Sequence, residues 1–257
     1  MIRLVRSELL KLRTTPGPWV VLAVTLLLTA LGVVLSFLFQ KSAHHVEFLA
    51  PTTTYRLRQL VGAGITVGGE WMAAILGILC VTGEFRHKVM TTTLLAEPRR
   101  WRLVVAKSAA SVLWSVYYSV ASLAMVAALG IPLLVAEHGS TTALWHQVRP
   151  VVPGLFGSFA LIALLGVGMG TLLKNQIAAV VVILATSFII EPILVGVLPE
   201  VGRWLPGAAA AAVSGHLARP EFRSYLLSWW LGAIVLAAWG LVPVVVGYFT
   251  TFSRDVT

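Results

Sequence analysis

Long apolar stretches separated by short polar connections dominate the pattern of this chain. A helix needs about 20 mainly apolar residues to cross the hydrocarbon of a bilayer. Backbone amides must bond to one another within lipid, which favours helices, and the alternation typical of β-barrel strands does not occur in this sequence. The pattern therefore predicts an all-α membrane protein with six transmembrane helices in a single domain, residues 1–257. The predicted spans are residues 19–39, 61–83, 103–134, 152–173, 177–198 and 225–248.

The first and third spans differ from an ordinary transmembrane helix. The first span follows a polar N-terminal segment and is longer than the apolar part of a cleaved signal peptide. We therefore expect it to be retained in the mature protein. The third is longer than one crossing requires. We expect it to bend or to leave the membrane near Pro132, because proline interrupts helical hydrogen bonding.

The composition is typical of a membrane protein. Of the 257 residues, 58% are apolar and 11% charged, whereas soluble domains carry about 25% charged residues. The net charge of +9 lies in the connections and not along one soluble face, so we expect no nucleic-acid partner. Placing both termini in the cytoplasm puts most Lys and Arg on the inner side, as the positive-inside rule requires.

The N-terminal segment 2–13 has the spacing of an amphipathic helix. Ile2, Val5, Leu9 and Leu12 share one face, with basic residues elsewhere. Such a helix lies on the membrane surface with its apolar stripe in the headgroup boundary. It could serve as a topology anchor or as a mechanical link between a cytoplasmic partner and the first span.

The connection after the second span combines an apolar, hydroxyl-rich turn with flanking charge. Residues 90–96 form this turn directly before Glu97 and Pro98, and Glu84, Arg86 and Lys88 precede it. An apolar centre with a charged rim suits docking into a protein groove. The alternative is a plain basic loop that only marks the inner side.

Together these motifs resemble the permease subunits of bacterial type 2 ATP-binding-cassette (ABC) exporters. The resemblance rests on residues 7–15 before the first span, on 83–86, 91–93, 98–100 and 106–107 around the second connection, on Glu191-Pro192, and on 204–206. It covers nearly the whole chain. It departs from the family at Lys88, where glycine is frequent, so we expect the backbone of that turn to be less free than in the family.

The resemblance implies the roles of several segments. Glu8, Lys11 and Arg13 would belong to a connecting helix, residues 1–15. Glu84 and Arg86 would stand at the entrance of a cytoplasmic coupling helix, and a partly re-entrant segment would separate the fifth and sixth helices. The coupling helix would comprise Met90, Thr91, Thr92, Thr93, Leu94, Leu95 and Ala96.

The chain lacks the phosphate-binding loop that an ATPase needs. That loop requires a Gly-Lys dipeptide, and none occurs. The chain is therefore not expected to be an enzyme or to bind a cofactor by itself. The resemblance implies that ATP and Mg bind to two cytoplasmic ATPase subunits, that a second permease copy or a similar subunit completes the path, and that the complex lies in lipid of the bacterial plasma membrane.

Two carboxylates and two glycine motifs lie within the apolar stretches. Glu70 and Glu191 could line a polar path for a cationic or amphiphilic solute, or they could bond to backbone near residues 199–207. Gly64 and Gly68, like Gly166 and Gly170, allow close helix packing, within one subunit or across a dimer axis. His44 and His45 are adjacent and the other four histidines are scattered, so no metal site is expected.

The sequence thus predicts the permease subunit of an ATP-driven exporter. A proton-coupled secondary transporter using Glu70 and Glu191 and a non-transporting membrane scaffold are the alternatives. The transported substrate does not follow from these residues.

Overall fold

A computed structural model describes residues 1–43, 69–86, 99–136, 146, 149, 151–215 and 226–252. The side chains of 39–43, 134–136 and 251–252 lie outside the described part. All regular elements in it are helices. They are α1 (Ile2–Thr14), α2 (Pro16–Ala43), α3 (Gly69–Arg86), α4 (Arg100–Ala136), α5 (Val152–Leu173), α6 (Gln176–Ala185), a π-helical turn (Thr186–Ile190), α7 (Glu191–Val197), α8 (Pro199–Gly202), α9 (Pro206–Ser214), α10 (Trp229–Gly247) and a second π-helical turn (Tyr248–Phe252).

Five helical stretches in the described part are long and apolar enough to cross a membrane. They correspond to the first and the third to sixth predicted spans, and so confirm those apolar helices. The second predicted span, 61–83, is described only from Gly69 and continues to Arg86. The five stretches are Pro16–Leu38, Arg100–Leu133, Val152–Leu173, Gln176–Val197 and Trp229–Thr250.

The observed helix ends refine the predicted ones. Residues 152–173 were predicted as a span and coincide with α5. Helix α4 continues through Pro132 to Ala136, because one proline removes a single donor from a helix that many other bonds hold. The last helix begins at Trp229, after Ser228, and not at residue 225.

Helix α3 lies at the centre of the bundle. Ala73, Ala74 and Leu76 have no exposed surface. A Cβ atom on Gly77 would collide with the carbonyl of Ala163 in α5, and one on Gly166 would collide with the carbonyl of Ala74. The two backbones therefore touch where they cross, as small residues permit in membrane helices.

The glycines of α5 pack within this chain. Gly166 and Gly170 face α3, with Ile78 beside Gly170, and Gly168 faces Pro243 and Gly240 of α10. The prediction of packing within one subunit is thus confirmed for Gly166 and Gly170. Gly64 and Gly68 lie outside the described residues.

A two-residue turn joins α5 to α6. Lys174 adopts a left-handed conformation with φ of 55° and its N–H bonds to the carbonyl of Gly170. The side chain of Asn175 then accepts bonds from the N–H groups of Ile177 and Ala178, which caps the new helix. The two helices consequently run antiparallel as neighbours.

The chain folds back on itself after α7. Helix α8 packs against α7, and the chain then returns so that the N–H of Gly207, in the first turn of α9, contacts the Glu191 carboxylate at the start of α7. Ala209 and Ala210 of α9 are fully buried, and α9 packs against α5 and α10.

Both described ends of the chain lie at the same end of the bundle. Helix α1 packs against α4 and α2. Tyr248, after α10, and Phe85, at the end of α3, both pack against the cluster of Leu103 and Val104 at the start of α4. We call this end, where α3 finishes and α4 begins, the network end, because a network of ion pairs among Glu8, Lys11, Glu84 and Lys107 lies there.

A buried charge network at the candidate coupling site

Helix α1 turns a charged residue toward the protein. The sequence predicts a stripe of Ile2, Val5, Leu9 and Leu12 facing the headgroup boundary. In the structure Leu12 and Glu8 are buried against the bundle, whereas Ile2 is 86% exposed. The prediction is therefore wrong at Leu9 and Leu12, which pack against the bundle, whereas the exposed Ile2 is as free of the bundle as a lipid-facing residue would be.

Glu8 belongs to a cluster with Lys11, Glu84 and Lys107, which we call the charge network. Lys107 is 1% exposed. Its ammonium group donates to Glu8 Oε2 at 2.9 Å and to the carbonyl of Cys80 at 3.2 Å, and lies 2.8 Å from Glu84 Oε1. Since an ammonium has three donors, each N–H of Lys107 has an acceptor.

Lys11 closes the charge network on its outer side. Its Nζ lies 2.6 Å from Glu8 Oε1 and 2.8 Å from Glu84 Oε1, and half of its side chain is exposed. Glu84 Oε1 is therefore shared between two ammonium groups. Two carboxylates balance two ammonium groups, so the cluster carries no net charge.

The pKa values of the α1 residues favour the charged forms. Burial alone would raise the pKa of the Glu8 carboxyl, but Lys107 and Lys11 outweigh it and hold this pKa below its usual value. Burial would lower the pKa of Lys11, but hydrogen bonds to Glu8 and Glu84 hold it above its usual value. Both groups therefore stay ionised at neutral pH.

The charge network joins three segments of the chain. Glu8 and Lys11 come from α1, Glu84 from the last turn of α3, and Lys107 from the second turn of α4. The predicted coupling residues, Met90–Ala96, connect α3 to α4 and lie outside the described residues, as do Lys88 and Pro98. Arg86 and Arg13, also predicted for this site, are exposed at the same end.

Glu70 and Glu191 have separate partners. Ser158 of α5 donates to Glu70 Oε1 at 2.6 Å. Glu191 accepts the N–H of Gly207 with both oxygens, at 3.1 and 3.0 Å. The predicted bonding to backbone in 199–207 is therefore confirmed for Glu191 and is wrong for Glu70, which bonds to a side chain of α5.

The two carboxylates lie at neighbouring levels of the bundle. A Cβ on Gly207 would lie 3.2 Å from the ring of Trp71, the residue after Glu70. Their hydrogen-bond partners differ, since Glu70 bonds to α5 and Glu191 to α9. In the described part, no three His, Cys, Asp or Glu residues come together in a way that could hold a metal ion.

Sequence reasoning missed the role of Lys107. Its position at the inner end of the third span suggested only a topological charge. The available signal was its place after Leu103, Val104 and Ala106 in an apolar helix, where a lysine is retained only with a partner. The identity of that partner could not be read from local pattern, since Glu8 and Glu84 are 99 and 23 residues away along the chain.

No protein-family model matches the sequence, and a search of the curated proteins finds no match.

Proposed function

We propose that this chain is the membrane-spanning permease subunit of an ATP-driven exporter of the type 2 ABC class. In this proposal six helices span a bacterial plasma membrane, α1 is the connecting helix, and α7–α9 include the partly re-entrant segment. Residues 90–96 receive force from separate ATPase subunits, which bind ATP and Mg. A second permease copy or a similar subunit completes the path.

The charge network is the observation that carries this proposal. Residues 87–98 leave α3 just after Glu84 and enter α4 just before Lys107. Because Glu84 and Lys107 are paired at 2.8 Å, the two helices that bracket this segment are tied together at their ends. A push on the segment would move both helices and α1 as one body.

Charge at the network end supports a cytoplasmic location. Arg3, Arg6, Arg13, Arg86 and Arg99 are all exposed there, while the acids Glu8 and Glu84 are buried in ion pairs. Among the described residues, the exposed surface of this end is therefore strongly basic, as the positive-inside rule expects of the cytoplasmic side.

Photo-crosslinking tests the partner. A photoreactive amino acid replaces Thr92 in the tagged chain, and a matched control carries it at Glu200, whose side chain is 71% exposed at the opposite end. We expect irradiated native membranes to give a crosslinked product at position 92 only, containing peptides of a protein with a Walker motif. Products with lipid alone at position 92, or equal products at both positions, would contradict the proposal.

A transport assay separates the proposal from a proton-coupled carrier and from a scaffold. In membrane vesicles the proposal expects export to stop when ATP is depleted and to persist when the proton gradient is dissipated. The reverse pattern would identify the carrier. ATP hydrolysis with the partner present but without solute flux would identify the scaffold.

A further inference from the structure

Helix α1 has a side that the described bundle leaves uncovered. The helix packs against α4 and α2, with Glu8 and Leu12 buried. Four exposed residues, at intervals of four, four and three positions, share one strip on the other side of the helix. We call this strip the α1 outer face, and its members are Ile2, Arg6, Leu10 and Arg13.

Aliphatic and basic side chains alternate along the α1 outer face. Ile2 is 86% exposed and Leu10 is 60% exposed, and an arginine of the same face follows each of them. This combination is typical of helices that lie in the headgroup layer of a bilayer. The aliphatic groups enter the apolar boundary, while the long arginine side chains keep their charge at the polar level.

The neighbouring exposed strip of α1 has a different character. It begins one residue after each member of the outer face, which is a rotation of about 100° around the helix. All of its side chains are polar or charged and exposed, and they are Arg3, Ser7, Lys11 and Thr14. The two strips give α1 a defined rotation at the membrane surface, with the outer face toward lipid and the polar strip toward water.

An aromatic cluster fixes the depth of the end of α1. The indole N–H of Trp19 donates to the carbonyl of Arg13 at 2.9 Å. The Trp19 ring packs edge to face with Trp114 and Tyr117 of α4, at centroid distances of 5.9 and 6.4 Å. Tryptophan and tyrosine concentrate at the membrane–water interface, so Arg13 lies at the level of the lipid phosphates.

The arginines of the outer face have no acidic partner within the described part of the chain. The ion pairs of α1 there involve only Glu8 and Lys11. Glu8, the single acid of α1, is occupied by Lys11 and Lys107. Two uncompensated guanidinium groups therefore face the layer in which anionic headgroups lie, and such groups attract them.

We propose that the α1 outer face binds anionic phospholipid headgroups, with Ile2 and Leu10 inserted beside the acyl chains. An acidic protein surface would also attract the arginines, but lipid accounts for the exposed aliphatic groups as well. A single residue, Thr15, separates α1 from the first span, which keeps the helix at the bilayer surface. The inference goes beyond the proposed function, because it requires neither nucleotide nor an ATPase partner, and either can fail alone.

Hydrogen exchange of the purified full chain in lipid nanodiscs tests the binding. One set of discs contains phosphatidylcholine alone, and the other contains phosphatidylcholine and phosphatidylglycerol in equal parts. Protection of the α1 amides should be about tenfold higher in the anionic discs, and high salt should reduce this difference. Equal protection in the two sets would overturn the proposal and favour an acidic protein surface as the partner.

A matched pair of double variants tests the site. Arg6→Gln combined with Arg13→Gln should abolish most of the gain in protection. Arg86→Gln combined with Arg99→Gln removes the same charge from exposed positions at the same end and should keep the gain. Circular dichroism checks that both variants fold. Equal losses in the two variants would show a general attraction of the whole end, and would overturn the assignment to the α1 outer face.

Spin labels test the rotation of α1. In a Cys80→Ala background, a nitroxide is attached to Leu10→Cys on the outer face or to Ser7→Cys on the polar strip. The label at position 10 should collide more often with oxygen, which concentrates in lipid, and the label at position 7 with a water-soluble nickel complex. The same collision rates at both positions would contradict insertion of the outer face.

Discussion

Lys107 is the residue on which the network end depends most. It is almost fully buried and contacts acceptors from α1 and α3, whereas Lys11 is half exposed. Removing one member of a buried ion pair leaves the other charge without compensation, which is strongly destabilising. The two lysines therefore differ in importance, although both contact the same two carboxylates.

Lys107→Met should lower the free energy of unfolding by about 3–5 kcal/mol. Lys11→Met should cost about 1 kcal/mol or less, because water already screens an exposed pair. Thermal unfolding in detergent measures both. Equal effects of the two substitutions would contradict the network as described.

Glu8→Gln combined with Lys107→Met provides the matched control. This double variant removes one charge of each sign, so part of the loss seen for Lys107→Met should be recovered. A double variant whose loss equals the sum of the two single losses would show that Glu8 and Lys107 do not interact.

The attachment of α1 should depend on pH in a defined way. The pKa of Glu8 is held below the ordinary value of a glutamate, so its contribution to stability is present above that ordinary pKa and is lost as pH falls through the folded pKa. The pKa of Lys11 is held above 10.5, so its contribution is present below that pH and is lost as pH rises further. Hydrogen exchange of the α1 amides, corrected for intrinsic rates, should show constant protection between these limits. Loss of protection near pH 7 would contradict this expectation.

At the scale of elements, the crossing of α3 and α5 depends on the absence of side chains. Gly77→Ala places a methyl group against the Ala163 carbonyl, and backbone cannot yield as a flexible side chain can. We expect a loss of about 1–3 kcal/mol from overpacking, measured by thermal unfolding.

Gly130→Ala is the control, because nothing lies within 4 Å of its Cβ position. It should be neutral or stabilising by up to about 1 kcal/mol, since alanine favours helix. If both glycine variants behaved alike, the close crossing would not exist in solution.

Glu191 holds the start of α9 through hydrogen bonds to Gly207. Glu191→Gln keeps a side-chain oxygen that can accept the N–H, so the amides at 207–210 should remain protected from exchange. Glu191→Leu removes the acceptor and leaves a buried N–H unsatisfied, and protection there should fall by about tenfold or more. Equal protection in both variants would show that the carboxylate does not position α9.

Across the whole molecule, the sequence predicted the positions of the helices better than the residue pairs that join one helix to another. Span length and apolar content follow from the thickness of the bilayer, which is why residues 152–173 were placed correctly as α5. The pairing of Glu8 with Lys107 joins residues 99 positions apart, and no local period encodes such a contact. The burial of Leu12 shows the same limit, because the face of α1 that is buried depends on its contacts with α4 and α2.

Glu191 shows that a chemical rule can predict a contact that the hydrophobic pattern alone does not. A carboxylate within an apolar stretch needs a bonding partner, and that rule predicts a bond to the backbone of 199–207 as one of two uses of Glu191. It did not specify Gly207, since the fold-back of α7–α9 depends on how α9 packs between α5 and α10.

The tight crossing at Gly77 gives α3 a pivot point within its described length. Gly77 lies nine residues from Arg86 and eight from Gly69, giving arms of about 13 and 12 Å. Interlocked backbones at the crossing resist sliding, so displacement of α3 is a tilt about that point. A given shift of Arg86 is then matched by a shift of nearly equal size and opposite direction at Gly69.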